Sequence, residues 1–347
     1  MKYLFLLSGD FIELGVEEAI STLKIKNIKV DGNLLFAQCG RAIDAKWRNR
    51  IALTKCAYKI LFECRIENLQ AIFQDFKWDA IYKENFCVRV NCKDDSKDFS
   101  NLSEKDLAGY IWRSIKNPKV NLKNPRTQIE IFLVAKTAYC TLLVFRNNEK
   151  FRERNSHFRP FPHPSSLNPK LARALVNISE AKKDEILLDP FCGTGGILLE
   201  AGLIGLKTIG YDINPDMADG CARNLEHFGV KKFNVLQKNA LNITVKFDRV
   251  VTDLPYGINS NAITRLNNWK KHRLNRKIDE KNFKRRLEIF YSGFLKILRK
   301  KLKKKAVIVS PSFVNYRKIL KNCGFKIEKE FSNYVHSSLT RKILKIV

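Results

Sequence analysis

The residues whose types and order suggest chemistry are Asp253-Leu254-Pro255-Tyr256 and, earlier in the chain, the run Asp189-Pro190-Phe191-Cys192-Gly193-Thr194-Gly195-Gly196. An amino group on guanine, adenine or cytosine is a poor nucleophile because its lone pair is delocalised into the ring. An acceptor on each N–H draws that nitrogen towards tetrahedral geometry and frees the lone pair. The Asp253 carboxylate and the Leu254 carbonyl are candidates for the two acceptors. Pro255 restricts Leu254 to an extended conformation and so aims its carbonyl outward. Tyr256 offers a face to the base, and base–aromatic stacking contributes ~1–3 kcal/mol. Gly257 leaves room for close approach. Such a set works by positioning and in-line attack rather than by strong acid–base catalysis. The plainer alternative is a strand-end turn built from Pro and Gly.

The glycine-rich run follows an apolar segment and precedes a helical one, as a ligand-binding turn does. Phosphate and dinucleotide sites use similar turns, so the glycines alone do not name the ligand. No Gly-Lys-Ser/Thr follows, which argues against a nucleoside triphosphate. Asp189 before the turn opposes a pyrophosphate but suits a cation. Asp212, at the end of the next apolar run, is placed to accept two hydrogen bonds from a ribose diol. S-adenosylmethionine, an adenosine carrying a sulfonium and an amino acid, meets these conditions. Asp189 and Asp212 as mere helix caps or turn residues is the competing reading.

The surrounding pattern must place both motifs on one sheet edge. From residue 168 onward, helix Pro169–Ser179, strand Ile186–Asp189, helix Ile197–Gly205, strand Thr208–Asp212, helix Met217–Phe228, and strands Asn234–Gln237 and Arg249–Thr252 alternate. That alternation predicts a parallel, doubly wound sheet. A strand over Ala306–Ser310, a helix over Tyr316–Asn322 and strands over Lys326–Phe331 and Thr340–Val347 complete it. The first part of the chain reads as mixed α/β. It has strands at Lys2–Leu7, Leu34–Cys39, Tyr58–Arg65 and Phe86–Asn91, and helices over Phe11–Leu23 and Leu107–Lys116, the latter capped by Ser103. A helix carries Trp47, Ile51, Ala52 and Lys55, and a hairpin joins Ile129–Val134 to Ala138–Phe145. Between the two parts, Arg159-Pro160-Phe161-Pro162-His163-Pro164 can continue neither a helix nor a central strand.

The chain has 347 residues, enough for two domains, and 45% hydrophobic residues, enough for a packed core. Its 64 Lys and Arg against 35 Asp and Glu give a net charge of +29, well beyond what solubility requires. Such an excess points to a polyanionic partner, usually nucleic acid. A dense run between 265 and 305 contains Lys270, Lys271, Arg273, Arg276, Lys277, Lys284, Arg285, Arg286, Arg299, Lys300 and Lys301, with Trp269, Phe283 and Tyr291 interleaved. It reads as a phosphate-tracking surface beside an active site or, more plainly, as a solvated helix face with a loop. The nine Cys include no Cys-x-x-Cys pair, which suggests free thiols in a reducing cytoplasm. Five scattered His offer no zinc spacing, so no metal is expected. No apolar run approaches the length of a membrane span.

Several of these residues also carry a family resemblance. Arg159-Pro160-Phe161-x-His163-Pro164, followed by Ser166-Leu167-x-Pro169-Lys170-Leu171-Ala172-Arg173-Ala174-Leu175-Val176-Asn177, is similar to the archaeal tRNA guanine-10 N2-methyltransferase family. So are the run from Asp189 and His336-Ser337-Ser338-Leu339-Thr340-Arg341. Val120-Asn121-Leu122-Lys123-Asn124-Pro125 resembles part of the RNA-binding THUMP domain. The resemblance spans nearly the full length. It implies an α/β protein in which residues 1–147 form an α+β region with a THUMP domain, 148–165 a linker, and 166–347 a Rossmann-like, S-adenosylmethionine-dependent methyltransferase domain. It implies a tRNA partner, with a guanine, position 10 by expectation, delivered to Asp253, Leu254, Pro255 and Tyr256. One or two methyl groups are both open, as is a small activating protein partner. The implied cofactor set is Asp189, Phe191, Gly193, Thr194, Gly195, Asp212, Asn239 and Ala240. Two positions depart from the family pattern: Leu254 replaces the usual first Pro, and Asn239 stands where an Asp commonly meets the adenine amino group. The alternatives are a THUMP-type enzyme acting on another tRNA guanine, a DNA amino-methyltransferase, which has no need of the N-terminal region, and a non-catalytic tRNA-binding protein that retains the fold.

Overall fold

A computed structural model of the protein describes residues 1–92, 103–256, 276–336 and 339–347. The chain divides into two compact units. The first comprises Met1–Ile12, Leu23–Arg48 and Thr54–Asn148; the second comprises Glu13–Thr22, Asn49–Leu53 and Glu149–Val347.

The first unit is built on a seven-stranded sheet of β1 (Lys2–Leu7), β2 (Lys26–Asp31), β3 (Leu34–Gln38), β4 (Thr54–Arg65), β5 (Phe86–Cys92), β6 (Thr127–Val134) and β7 (Thr137–Arg146), in the order β2-β3-β1-β4-β7-β6-β5. All pairs are antiparallel except β5 with β6. Helices Leu69–Asp75 and Glu104–Ser114 bury Leu69, Phe73, Leu107 and Ile111 against Phe86, Val88, Ile129 and Ile131. Ser103 caps the second helix by accepting from the backbone N–H groups of Lys105 and Asp106. The expected hairpin forms between β6 and β7, with Ala135 at φ 51° in its turn.

Two expectations in this region need correction. Strand β2 was not anticipated, because an edge strand with no buried side chain shows no alternation. The helix expected through Trp47, Ile51, Ala52 and Lys55 stops at Arg48, and Lys55 lies in β4. The backbone N–H groups of Ala52 and Leu53 donate instead to the Glu18 carboxylate at 3.0 and 2.8 Å. That tertiary partner replaces the hydrogen bonds a longer helix would have made.

The second unit holds β8 (Ile186–Asp189), β9 (Lys207–Asp212), β10 (Phe233–Gln237), β11 (Phe247–Asp253), β12 (Leu302–Pro311), β13 (Ile327–His336) and β14 (Leu339–Ile346), in the order β10-β9-β8-β11-β12-β14-β13. The first five in that order run parallel, and β14 is antiparallel to both of its neighbours. Helices Pro169–Ile178, Gly196–Leu203, Pro215–His227 and Tyr316–Asn322 follow the predicted pattern closely. A long helix, Arg276–Lys301, was not predicted as such. Its Leu287, Tyr291, Phe294 and Leu298 recur at helical spacing and pack with Leu188, Val250 and Ile308 in the core. The basic run is therefore partly a helix face: Lys284, Arg285, Arg286, Arg299 and Lys300 are exposed, whereas Tyr291 is buried and Phe283 partly buried. Trp269, Lys270, Lys271 and Arg273 lie outside the described residues, as do Gly257, Ser337 and Ser338.

Residues 148–165 contain short turns at Phe151–Arg154 and Ser156–Phe158 and bury Phe151, Arg154 and Arg159 in the second unit. Arg154 and Arg173 both reach Glu200, at 2.7 and 2.8 Å, and Glu200 is fully buried. Two guanidinium groups thus share one interior carboxylate, with Glu149 2.9 Å from Arg154 as a second, more exposed one. Removing one partner of a buried ion pair strands the remaining charge. Glu200→Ala is expected to destabilise this unit by about 3–5 kcal/mol, read as a lowered midpoint in urea unfolding.

Candidate active site

Strand order reverses at β8, from which β9 and β10 lie to one side and β11 and β12 to the other. In an open parallel sheet the ligand crevice lies outside the carboxyl ends of the strands at such a reversal. Both chemical motifs meet there. Asp189 is the last residue of β8, Asp212 of β9 and Asp253 of β11.

The glycine turn is shaped by backbone constraints. Gly193 and Gly195 take φ values of 49° and 83°, which favour glycine. A Cβ on Gly195 would lie 2.6 Å from Cys221 Sγ, whereas the space in front of Gly193 is open. Asp212 Oδ2 accepts from the Gly193 N–H at 3.0 Å and Oδ1 from Asn214 N–H at 2.8 Å. Burial raises the Asp212 pKa and these backbone donors oppose the rise. Asp189 is 2% exposed, and its Oδ1 accepts from the Thr252 hydroxyl at 2.7 Å and from Phe191 N–H at 3.2 Å. Desolvation pushes its pKa up to about 7, with the charges of Asp253 and Asp212 adding to the rise. Three acidic side chains at one sheet edge suit a ligand carrying positive charge.

Other predicted cofactor residues turn their side chains to packing. Phe191 packs edge-on against Phe294 and Phe290, at centroid distances of 5.0 and 5.8 Å. Thr194 Oγ1 is 2.8 Å from Ser166 Oγ, and Ala240 is buried in the core. Asn239 Oδ1 caps the turn Ala240–Asn242 by accepting from Leu241 N–H at 2.9 Å.

At the acceptor motif, Leu254 buries its side chain and donates its N–H to the Val309 carbonyl at 3.0 Å. The Pro255 carbonyl accepts from the Tyr291 hydroxyl at 2.8 Å. The Tyr256 hydroxyl donates to the Asp253 carboxylate, and Arg341 Nε donates to that hydroxyl oxygen at 3.0 Å. Burial pushes the Asp253 pKa up to about 6, while Arg341 and the Tyr256 hydroxyl hold it down. The sequence reading had no role for Thr252 or for Tyr291 beyond the basic run, and none for Arg341 beyond a matching motif. Arg341 and Tyr256 lie far apart in the chain, so local spacing carries no sign of their contact.

Residues 63–143 match the THUMP domain family, and residues 156–276 match the family described as RMKL-like, methyltransferase domain. A tRNA (guanine(10)-N2)-dimethyltransferase of Methanothermobacter thermautotrophicus is 31% identical to the chain, with 99% of this chain and 98% of the relative covered. The chain belongs to this dimethyltransferase family. The Pyrococcus abyssi relative of the same name is 34% identical over 80% of this chain and 78% of its own. Among solved structures, TrmN from Thermus thermophilus is similar in fold, with a TM-score of 0.53 at 16% identity, covering 100% of this chain and 99% of that one. The family resemblance drawn from the Arg159 and Asp189 motifs stands, and so does the Rossmann-like methyltransferase sheet with a THUMP-containing N-terminal region. Among the described residues, no helix is long and apolar enough to cross a membrane, and no group of His, Cys, Asp or Glu is arranged to hold a metal ion.

The raised Asp189 pKa makes a stability prediction. Its protonated form favours the folded state; that contribution is complete below the ordinary aspartate value of 3.8 and is lost progressively as the pH rises from there to about 7. Asp189→Asn keeps an acceptor for Thr252 and Phe191 and carries no charge. Its melting temperature is expected to match that of the unsubstituted protein near pH 4, to exceed it increasingly between pH 4 and 7, and to stay several degrees above it at pH 8.5, as measured by calorimetry.

Proposed function

We propose that the protein transfers methyl groups to the exocyclic N2 of a tRNA guanine, that S-adenosylmethionine is the donor, and that the guanine is at position 10. The observation that carries this reading is the meeting of the glycine turn and Asp253-Leu254-Pro255-Tyr256 at the switch point, tied together by the Thr252–Asp189 hydrogen bond. Membership of the dimethyltransferase family supports the choice of base, atom and position, and favours two methyl groups over one. The matched THUMP domain and the +29 charge support a folded RNA as partner. All nine cysteines are free, which supports a reducing cytoplasm as the site of the reaction.

In this reading, S-adenosylmethionine when bound supplies an electrophilic methyl group on a sulfonium. Asp212 holds the ribose diol, Gly193 permits close approach, and Asn239 and Ala240 border the adenine. Asp189, with its neighbouring carboxylates, favours the positive charge. Asp253 and the Leu254 carbonyl each accept one N–H of the guanine amino group, which frees the nitrogen lone pair for in-line attack. Asp253 then takes up the proton that N2 sheds. Tyr256 offers its ring to the base. A tRNA guanine is stacked or paired, so presentation to Asp253 requires that it leave the helix, at a cost of about 2–4 kcal/mol.

Labelled S-adenosylmethionine and unmodified tRNA transcripts test the reading, with the product mapped by nuclease digestion and mass spectrometry. N2-methylated guanosine at position 10 is expected, with Asp253→Ala slower by about 100-fold or more. The rate should fall as the pH drops below about 6, where Asp253 protonates. Methylation at another nucleotide, or full activity in Asp253→Ala, would refute it. Incorporation by the purified chain alone excludes a required protein partner.

A further inference from the structure

Asp253 does not stand open to the crevice. One carboxylate oxygen already accepts a hydrogen bond from the Tyr256 hydroxyl. Arg341, on β14, donates through Nε to that hydroxyl oxygen at 3.0 Å, whereas its direct approach to the carboxylate, Nη2 to Asp253 Oδ2, is 3.9 Å. A hydrogen bond weakens steeply beyond about 3.2 Å, so the strong path runs from Arg341 to Tyr256 and from Tyr256 to Asp253. The guanidinium carbon also lies 5.6 Å from the Tyr256 ring centroid, which restrains the ring itself. The Arg341 and Asp253 side chains are only 15% and 19% exposed, so water competes weakly for these contacts.

We propose that Arg341 is a positioning residue for methyl transfer, and that the Tyr256 hydroxyl is a latch that occupies Asp253 until a base amino group replaces it. This rests on the reading of Asp253 as acceptor for that amino group. A mostly buried carboxylate left without a donor costs free energy. The tyrosine hydroxyl meets that need while no base is bound. Exchange of O–H for N–H on the same oxygen is close to neutral, provided the released hydroxyl proton finds another acceptor, such as water. Arg341, a donor only, does not take that proton, but its Nε continues to donate to the hydroxyl oxygen and so holds the ring in place after Asp253 has been taken. The exchange requires a donor on the incoming base. A base edge that presents only acceptors cannot displace the latch, so the device favours amino-bearing bases.

Among the described residues, Arg341 from β14 and Tyr256 act on Asp253, and Asp253 in turn acts on Asp189 at the end of β8 and on Tyr291 from helix Arg276–Lys301. Of these only Arg341 is cationic, and it opposes the rise that burial imposes. Loss of Arg341 therefore moves protonation of Asp253 to higher pH.

The test uses the full chain, tRNA transcript and S-adenosylmethionine, with Arg341→Met, Arg341→Lys and Tyr256→Phe. Cofactor affinity by calorimetry serves as the folding control. Arg341→Met is expected to lower kcat about tenfold or more, to leave the cofactor Kd within about twofold, and to move the acid limb of the kcat–pH profile up by about one unit. Arg341→Lys restores the acid limb but only part of kcat, because an ammonium lacks the planar fork that grips hydroxyl and ring together. Tyr256→Phe keeps the ring and lowers KM for tRNA, since nothing has to be displaced. An unchanged kcat and acid limb in Arg341→Met overturns the positioning role. Should that variant fail to bind cofactor, a kcat in Arg341→Lys equal to that of the unsubstituted protein overturns it instead. An unchanged or raised KM in Tyr256→Phe overturns the latch. Full turnover by Asp253→Ala removes the acceptor reading underneath; an inactive Asp253→Ala beside an unaffected Arg341→Met removes only this proposal.

Discussion

The hydrogen bond from the Thr252 hydroxyl to the Asp189 carboxylate is the link on which the candidate site depends. It joins the ends of β8 and β11, the two strands that flank the reversal of strand order. The same carboxylate oxygen accepts from the Phe191 N–H at the start of the glycine turn. One buried group therefore relates the turn read as a cofactor site to the strand end that carries Asp253. Because it is buried, with two other acids nearby, it resists negative charge. Asp253 and Asp212 add to the rise of the Asp189 pKa, so a positively charged ligand at this edge would ease its ionisation.

The support behind this edge is distributed. Tyr291 reaches from the long helix Arg276–Lys301 to the Pro255 carbonyl, and Arg341 reaches from β14 to Tyr256. The tetrapeptide is thus gripped by side chains from elements late in the chain, beyond the residues matched to the methyltransferase domain family. Leu254 stands where the resemblance leads one to expect a proline, and so brings no rigid ring of its own. Leu254 is instead held by its buried side chain and its N–H bond to Val309. These contacts restrain the loop from outside where a second proline would restrain it from within.

Away from the edge, charged side chains in the interior hold the second unit together. Glu18 accepts from Asn177 and from the N–H groups of Ala52 and Leu53, and Glu200 is shared by Arg154 and Arg173. Arg173 and Asn177 belong to the motif that first suggested the family. Both are buried structural residues on helix Pro169–Ile178, one close to Glu200 and the other bonded to Glu18. A run of family-specific residues can therefore report on packing rather than on chemistry.

The sequence by itself was sufficient for the strand–helix alternation from Ile186 to Asp253, the glycine turn, and the placement of Asp189, Asp212 and Asp253 at strand ends. Those features follow from local periodicity and backbone preference, which neighbouring residues determine. It was insufficient for β2, whose side chains are all outside the core, and for the end of the Trp47 helix, where Glu18 supplied bonds that no local pattern contains. The long helix was hidden because its apolar stripe, Leu287, Tyr291, Phe294 and Leu298, is diluted by Lys and Arg. Only the tertiary structure brought Arg341 and Tyr291 to the acceptor motif and closed Tyr256 onto Asp253. Contacts between distant residues arise from the order and register of strands, which are decided by the burial of whole faces and leave no trace in the spacing of the residues that finally touch.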